Sequence, residues 1–106
     1  MKRFDKELNS DRISVLEGIL LTSEIEDEKL EAVNQLIRKS DDRAQLAIMK
    51  ALEDMSQRVR EKAIQSVKAS SIPEELFAPS LVKLLDDEFP KIREKAIQLL
   101  KEIAKE

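Results

Sequence analysis

The sequence predicts an all-α fold, a short α-solenoid of about three antiparallel helix pairs, and three observations carry that prediction. The hexapeptide Arg60-Glu61-Lys62-Ala63-Ile64-Gln65 recurs letter for letter as Arg93-Glu94-Lys95-Ala96-Ile97-Gln98, a spacing of 33 residues. A period of roughly 20–50 residues marks a stack of supersecondary units, each of which completes its apolar face only against a neighbour. Composition agrees: charged residues make up 39% and apolar residues 42%, with a single Gly, and Leu, Ala, Glu and Lys lose little side-chain freedom in a helix. Third, apolar residues recur at three- and four-residue steps between polar capping signals. A chain of 106 residues suffices for one continuous core and leaves no room for a separate catalytic lobe.

Read from the start, residues 1–9 carry Phe4 and Leu8 as the only large apolar side chains after Met1, and are expected to form a short extra helix or a frayed arm. Ser10 or Asp11 then opens a helix with Ile13, Leu16, Ile19 and Leu20. Ser23-Glu24-Ile25-Glu26 offers a capping box before a helix carrying Leu30, Val33, Leu36 and Ile37. Residues 10–40 are thus a diverged first unit, whose Ala32-Val33 aligns with Ala63-Ile64 only at a spacing of 31. Terminal repeats diverge because one of their faces must meet water.

The second unit, residues 41–70, begins with Asp41 or Asp42 capping a helix of Ala44, Ala47, Ile48, Ala51 and Leu52. Ser56 caps its second helix, with Val59, Ala63, Ile64 and Val67 on one face. In the third unit, residues 71–106, Ser71-Ile72-Pro73-Glu74 supplies an N-cap serine, an early proline and a glutamate three residues past the cap. That helix runs through Leu76, Phe77, Leu81, Leu84 and Leu85, with a bend expected at Pro79. Asp86-Asp87-Glu88-Phe89-Pro90 breaks it, and Ile92, Ala96, Leu99, Leu100 and Ile103 line the last helix. Laid at the 33-residue offset, residues 50–71 and 83–104 share ten identities in 22 positions.

At Leu84-Leu85-Asp86-Asp87-Glu88-Phe89-Pro90-Lys91-Ile92-Arg93-Glu94-Lys95-Ala96 the chain resembles a HEAT repeat, whose pattern has a leucine-ending first helix, an aspartate, a turn proline, then valine and arginine, and a small alanine. The second unit agrees at Leu52, Asp54, Val59, Arg60 and Ala63, with Gln57 in place of the proline. The first has Ser23 and Lys29 near the aspartate and arginine positions. The short period is similar to that of the lyase-associated subclass. The resemblance implies that Arg60 and Arg93 lie between adjacent repeats and reach turn aspartates Asp54 and Asp87 as a structural ladder. It also implies that the second helix of each pair lines a concave face.

What the chain lacks bounds its chemistry. With neither Cys nor His it has no thiol nucleophile, no imidazole base and no thiolate or imidazole metal ligand. No catalytic residue, cofactor or metal site is therefore assigned. Trp and Tyr are absent too, which removes the usual stacking platforms for single-stranded nucleic acid and the aromatic walls of a base-excising pocket. The carboxylates of Glu24-Ile25-Glu26-Asp27-Glu28 and Asp86-Asp87-Glu88 read as helix-start residues, where negative charge is favourable, rather than as a calcium cage. Neither a signal peptide nor a membrane span is evident, so the cytoplasm is the expected compartment. The Lys and Glu enrichment is also that of hyperthermophile proteins.

The outward positions of the inner helices are Arg58, Glu61, Lys62 and Gln65, matched by Lys91, Glu94, Lys95 and Gln98. A fixed period sets them in parallel rows, a candidate mixed-charge groove for a protein segment. The plainer alternative is a solvated face of weak Glu–Lys pairs. The runner-up function is direct nucleic-acid binding through Arg58, Lys62, Lys91 and Lys95, opposed by Glu61 and Glu94, which repel phosphate. By charge, residues 1–49 hold eight Lys or Arg against eleven acids and residues 50–106 eleven of each, so neither half is a basic patch. A second candidate surface is the end of the last repeat, with Phe89, Ile103 and Ala104 and a contribution from Phe77. A protein partner is the expectation, as for small accessory or scaffolding subunits of larger assemblies such as polymerases.

Overall fold

The computed structural model describes residues 2–39 and 41–105, with side chains from Arg12 onward. Its helices are α1 (Lys2–Thr22), α2 (Glu26–Leu36), α3 (Asp42–Ala51), α4 (Gln57–Ala69), α5 (Glu74–Lys83) and α6 (Pro90–Ala104), with a short 3-10 turn over Leu84–Asp86. Among the described residues there is no strand. The architecture is the expected all-α solenoid: α1 packs on α2, α3 on α4 and α5 on α6, while α2, α4 and α6 lie side by side as one layer.

Local signals explain most boundaries. Asp41, in extended conformation, accepts from the backbone N–H of Arg43 at 2.7 Å and opens α3. Ser56 accepts from Val59 N–H at 3.3 Å and opens α4, and Pro90 occupies the first turn of α6, where its missing N–H costs nothing.

Three starts differ from expectation. The first helix begins at Lys2, so the anticipated arm and helix are one element, with Ser10 and Asp11 inside it. Residues 2–9 contain neither Gly nor Pro, and a nucleated helix extends cheaply through such a stretch. The expected contributions of the Phe4 and Leu8 side chains lie outside the described side chains. Helix α2 begins at Glu26 rather than after Ser23. The Ser23 hydroxyl accepts from Ile25 N–H at 3.0 Å and donates to Glu28 at 2.7 Å, bracing the turn ahead of the helix. Likewise α5 starts at Glu74 with Pro73 at the cap position, not Ser71. Here Ser70 accepts from Ile72 N–H at 3.1 Å, and burial of the Ile72 side chain in the core keeps the chain extended until Pro73.

One apolar core runs the length of the stack. It joins Ile13, Leu16 and Leu20 of α1 to Val33 and Leu36 of α2, Ile48 of α3 with Leu52 beyond its end, Val59 and Val67 of α4, Leu81 of α5 and Ile92 of α6. Each large side chain so removed from water contributes on the order of 1.5–3 kcal/mol. Ala32, Ala63 and Ala96 occupy equivalent positions of the three inner helices and are all buried, and small side chains there let neighbouring helices approach closely. Phe77 also belongs to this core. It adds nothing to an exposed end, contrary to the expectation from sequence, because α5 turns its ring inward.

Candidate functional site

Between repeats, buried ion pairs connect the turn of each later unit to the inner helix of the one before. Arg60 Nε lies 2.8 Å from Asp87 Oδ1 and Nη2 donates to Oδ2 at 3.2 Å, with both side chains more than nine-tenths buried. The arginine is anchored by donating from Nη1 to the carbonyls of Asp54 at 2.8 Å and Met55 at 3.0 Å, and its guanidinium faces the Phe89 ring at 5.8 Å. One repeat earlier, Lys29 takes the arginine's place and donates to both oxygens of Asp54 at 3.2 and 3.3 Å. Each aspartate also accepts an N–H at the start of the following helix: Asp54 from Ser56 at 2.9 Å and Asp87 from Phe89 at 3.0 Å. A carboxylate satisfied on both sides in this way is held against the desolvation that burial imposes.

The inner layer forms an open groove of about 540 Å³ lined by Leu30, Asn34, Gln57, Arg58, Glu61, Lys62, Gln65 and Lys91. The structure brings five of the eight candidate groove residues together, Arg58, Glu61, Lys62 and Gln65 of α4 and Lys91 of α6. Lys95 and Gln98 line a smaller adjoining recess with Gln65 and Lys68, and Glu94 is exposed on α6. Sequence reasoning missed the contribution of α2, although a signal was present. At the 31-residue offset Asn34 matches Gln65, which with Gln98 makes a row of amides, and Asp27 stands where Arg58 and Lys91 follow.

Most of the basic groove residues are already neutralised. Arg58 donates to Glu26 at 2.8 Å and lies 3.8 Å from Asp27. Glu61 Oε1 holds Lys91 at 3.3 Å and Lys95 at 3.9 Å. The Ser56 hydroxyl donates to Glu26 Oε2. That bond, aided by the charges of Arg58 and Lys29 and opposed by partial desolvation, holds the Glu26 carboxyl below the usual carboxylate range. Lys62 and Gln65 have no side-chain partner among the described residues.

The end-patch candidates separate. Phe89 is half-buried with its ring on Arg60, at the junction of the second and third repeats. Ile103 is half-buried and packs against the core, while Ala104 is exposed. Among the described residues no group of acidic side chains converges as a metal cage, and no helix is long and apolar enough to cross a membrane.

A series of stacked helix pairs with side chains bridging from one pair to the next defines a helical-repeat protein. A family model described as HEAT repeats matches residues 13–101, and the chain belongs to that family. HEAT repeats generally serve as protein-interaction modules and are typically not enzymes. No curated protein and no solved structure matches the chain.

Proposed function

We propose that this chain is a non-enzymatic interaction module, a small accessory or scaffolding subunit that holds a segment of a larger protein along the groove of α2, α4 and α6. The observation that carries this reading is the charge state of the groove. Arg58, Lys91 and Lys95 are each within ion-pair distance of a carboxylate, so the surface offers a phosphate backbone little free positive charge. It offers a protein segment unpaired donors and acceptors at Lys62 and Gln65, beside the part-buried apolar side chain of Leu30. Mixed polarity of this kind is what a protein–protein rim presents.

The test pairs capture with titration. The chain and a Lys62→Glu/Gln65→Lys variant are used to capture partners from the native cell extract. The expected result is a protein retained by the first and lost by the second, with unchanged helical circular dichroism. In parallel, labelled single- and double-stranded DNA are titrated at low and moderate salt, where negligible binding is expected. Micromolar binding with a steep salt slope sinks the proposal and favours the nucleic-acid alternative.

A further inference from the structure

The junction between the second and third repeats records how this stack receives a following helix pair, and the far side of α6 carries the same features uncovered. Arg60 is anchored through Nη1 on the carbonyl of Asp54 at 2.8 Å, which frees Nε and Nη2 for Asp87 of the next repeat. Arg93 keeps the aspartate half of that anchor, Nη1 donating to the carbonyl of Asp87 at 2.7 Å, but among the described residues no carboxylate meets the rest of its guanidinium. Glu61 receives Lys91 and Lys95 from α6, whereas Glu94, one period later, is exposed with no partner among the described residues. The apolar positions behave in the same way. Ile64 is 4% exposed beneath the third repeat and Ile97 is 40% exposed; Val67 is buried and its counterpart Leu100 is half-buried.

We propose that the outer face of the α5–α6 pair docks a partner's helix pair of the same repeat type. That partner presents a turn aspartate to Arg93, lysines to Glu94 and apolar side chains to Ile97 and Leu100. The requirement for the aspartate is specific, because a guanidinium already fixed by one carbonyl has its remaining fork set for a carboxylate. A second copy of this chain does not meet it. The corresponding turn of α1–α2 has Ser23 at that place, and its hydroxyl is engaged with Ile25 and Glu28. This surface is separate from the groove, so either reading survives failure of the other.

The third repeat itself serves as the probe, since it already satisfies the equivalent face of the second. Joining a second copy of residues 72–104 directly after Ala104 continues the 33-residue period and supplies a stand-in at high effective concentration. Its own outer face is covered to the same extent as that of the present α6. Docking predicts that exchange of the Ile97 and Leu100 amides slows by about tenfold or more and that the added helices are themselves protected. Arg93→Ala should abolish that slowing in the extended chain, and Arg93→Asp combined with an Asp→Arg change in the added copy should restore part of it. Two results overturn the proposal. One is an added copy that exchanges as an unfolded tail with the α6 amides unchanged. The other is sedimentation of the unextended chain as a dimer that Ile97→Glu dissolves, which would make a second copy the occupant.

Discussion

Arg60 and Arg93 show how far one residue type can be taken by its surroundings. Both are anchored on the carbonyl of the aspartate six residues earlier, yet among the described residues only Arg60 meets a carboxylate from a following repeat. Breaking a buried ion pair by removing one partner leaves the other charge uncompensated, at a cost of about 3–5 kcal/mol. Arg60→Ala is therefore expected to lower the unfolding free energy by that amount in urea denaturation. Arg60→Ala with Asp87→Ala should cost less than the sum of the two single changes, the coupling that contacting residues show. Strict additivity would mean that the pair holds nothing together. The resemblance to HEAT repeats pointed to the arginines and turn aspartates, whereas the fixed period shows only that both residue types recur. The role of Lys29 was only half legible, since a lysine one repeat earlier takes the arginine's place with a different head group and a spacing of 31.

Within elements, caps and turns settle which end of each helix faces which neighbour. Ser56 performs two tasks at the start of α4: it accepts from Val59 N–H and donates to Glu26 of α2. Ser56→Ala should lose about 1 kcal/mol of stability, the usual cost of an N-cap deletion. It should also raise the midpoint of the Glu26 carboxyl, read by carbon-detected NMR titration, because the hydroxyl is the main cause of its depression. The sign follows from linkage. A carboxyl depressed in the folded state adds stability above its unfolded pKa of about 4.3, and that stability is lost as pH falls through the folded midpoint. An unmoved Glu26 midpoint in Ser56→Ala would remove the hydroxyl from the account. The cap at Ser56 was readable from sequence, whereas those proposed at Ser23 and Ser71 were not. At both places the serine motif is present, but burial of a neighbouring side chain or a competing hydrogen bond moves the helix start two or three residues on.

Across the whole molecule, position in the stack decides what identical residues are worth. Ile64 and Ile97 occupy the same place in identical hexapeptides, one covered and the other partly exposed. Large-to-small changes in a core cost about 2–5 kcal/mol, while surface changes usually stay near 0.5 kcal/mol. Ile64→Ala should fall in the first range and Ile97→Ala well below it, measured by the shift of the urea midpoint. Equal losses would show that Ile97 is already covered in solution. Solenoid stability is close to a sum of repeat and interface contributions, so the difference between the two variants reads the value of the one interface that the third repeat provides.

By itself the sequence determined the helical class, the repeat period, the core-facing alanines and leucines, the residues that cap α3 and α4 and the proline that opens α6. These depend on hydrogen bonds and side-chain spacing within about one helical turn, where propensity and periodicity act. Tertiary structure decided which acids neutralise Arg58, Lys91 and Lys95, that α2 joins the groove, that Phe77 is core, and that Arg60 meets a carboxylate while Arg93 meets none among the described residues. The ion pairs between neighbouring repeats join residues 25 or more positions apart. Their geometry is fixed by how one helix pair is rotated onto the next, a quantity that no local pattern encodes.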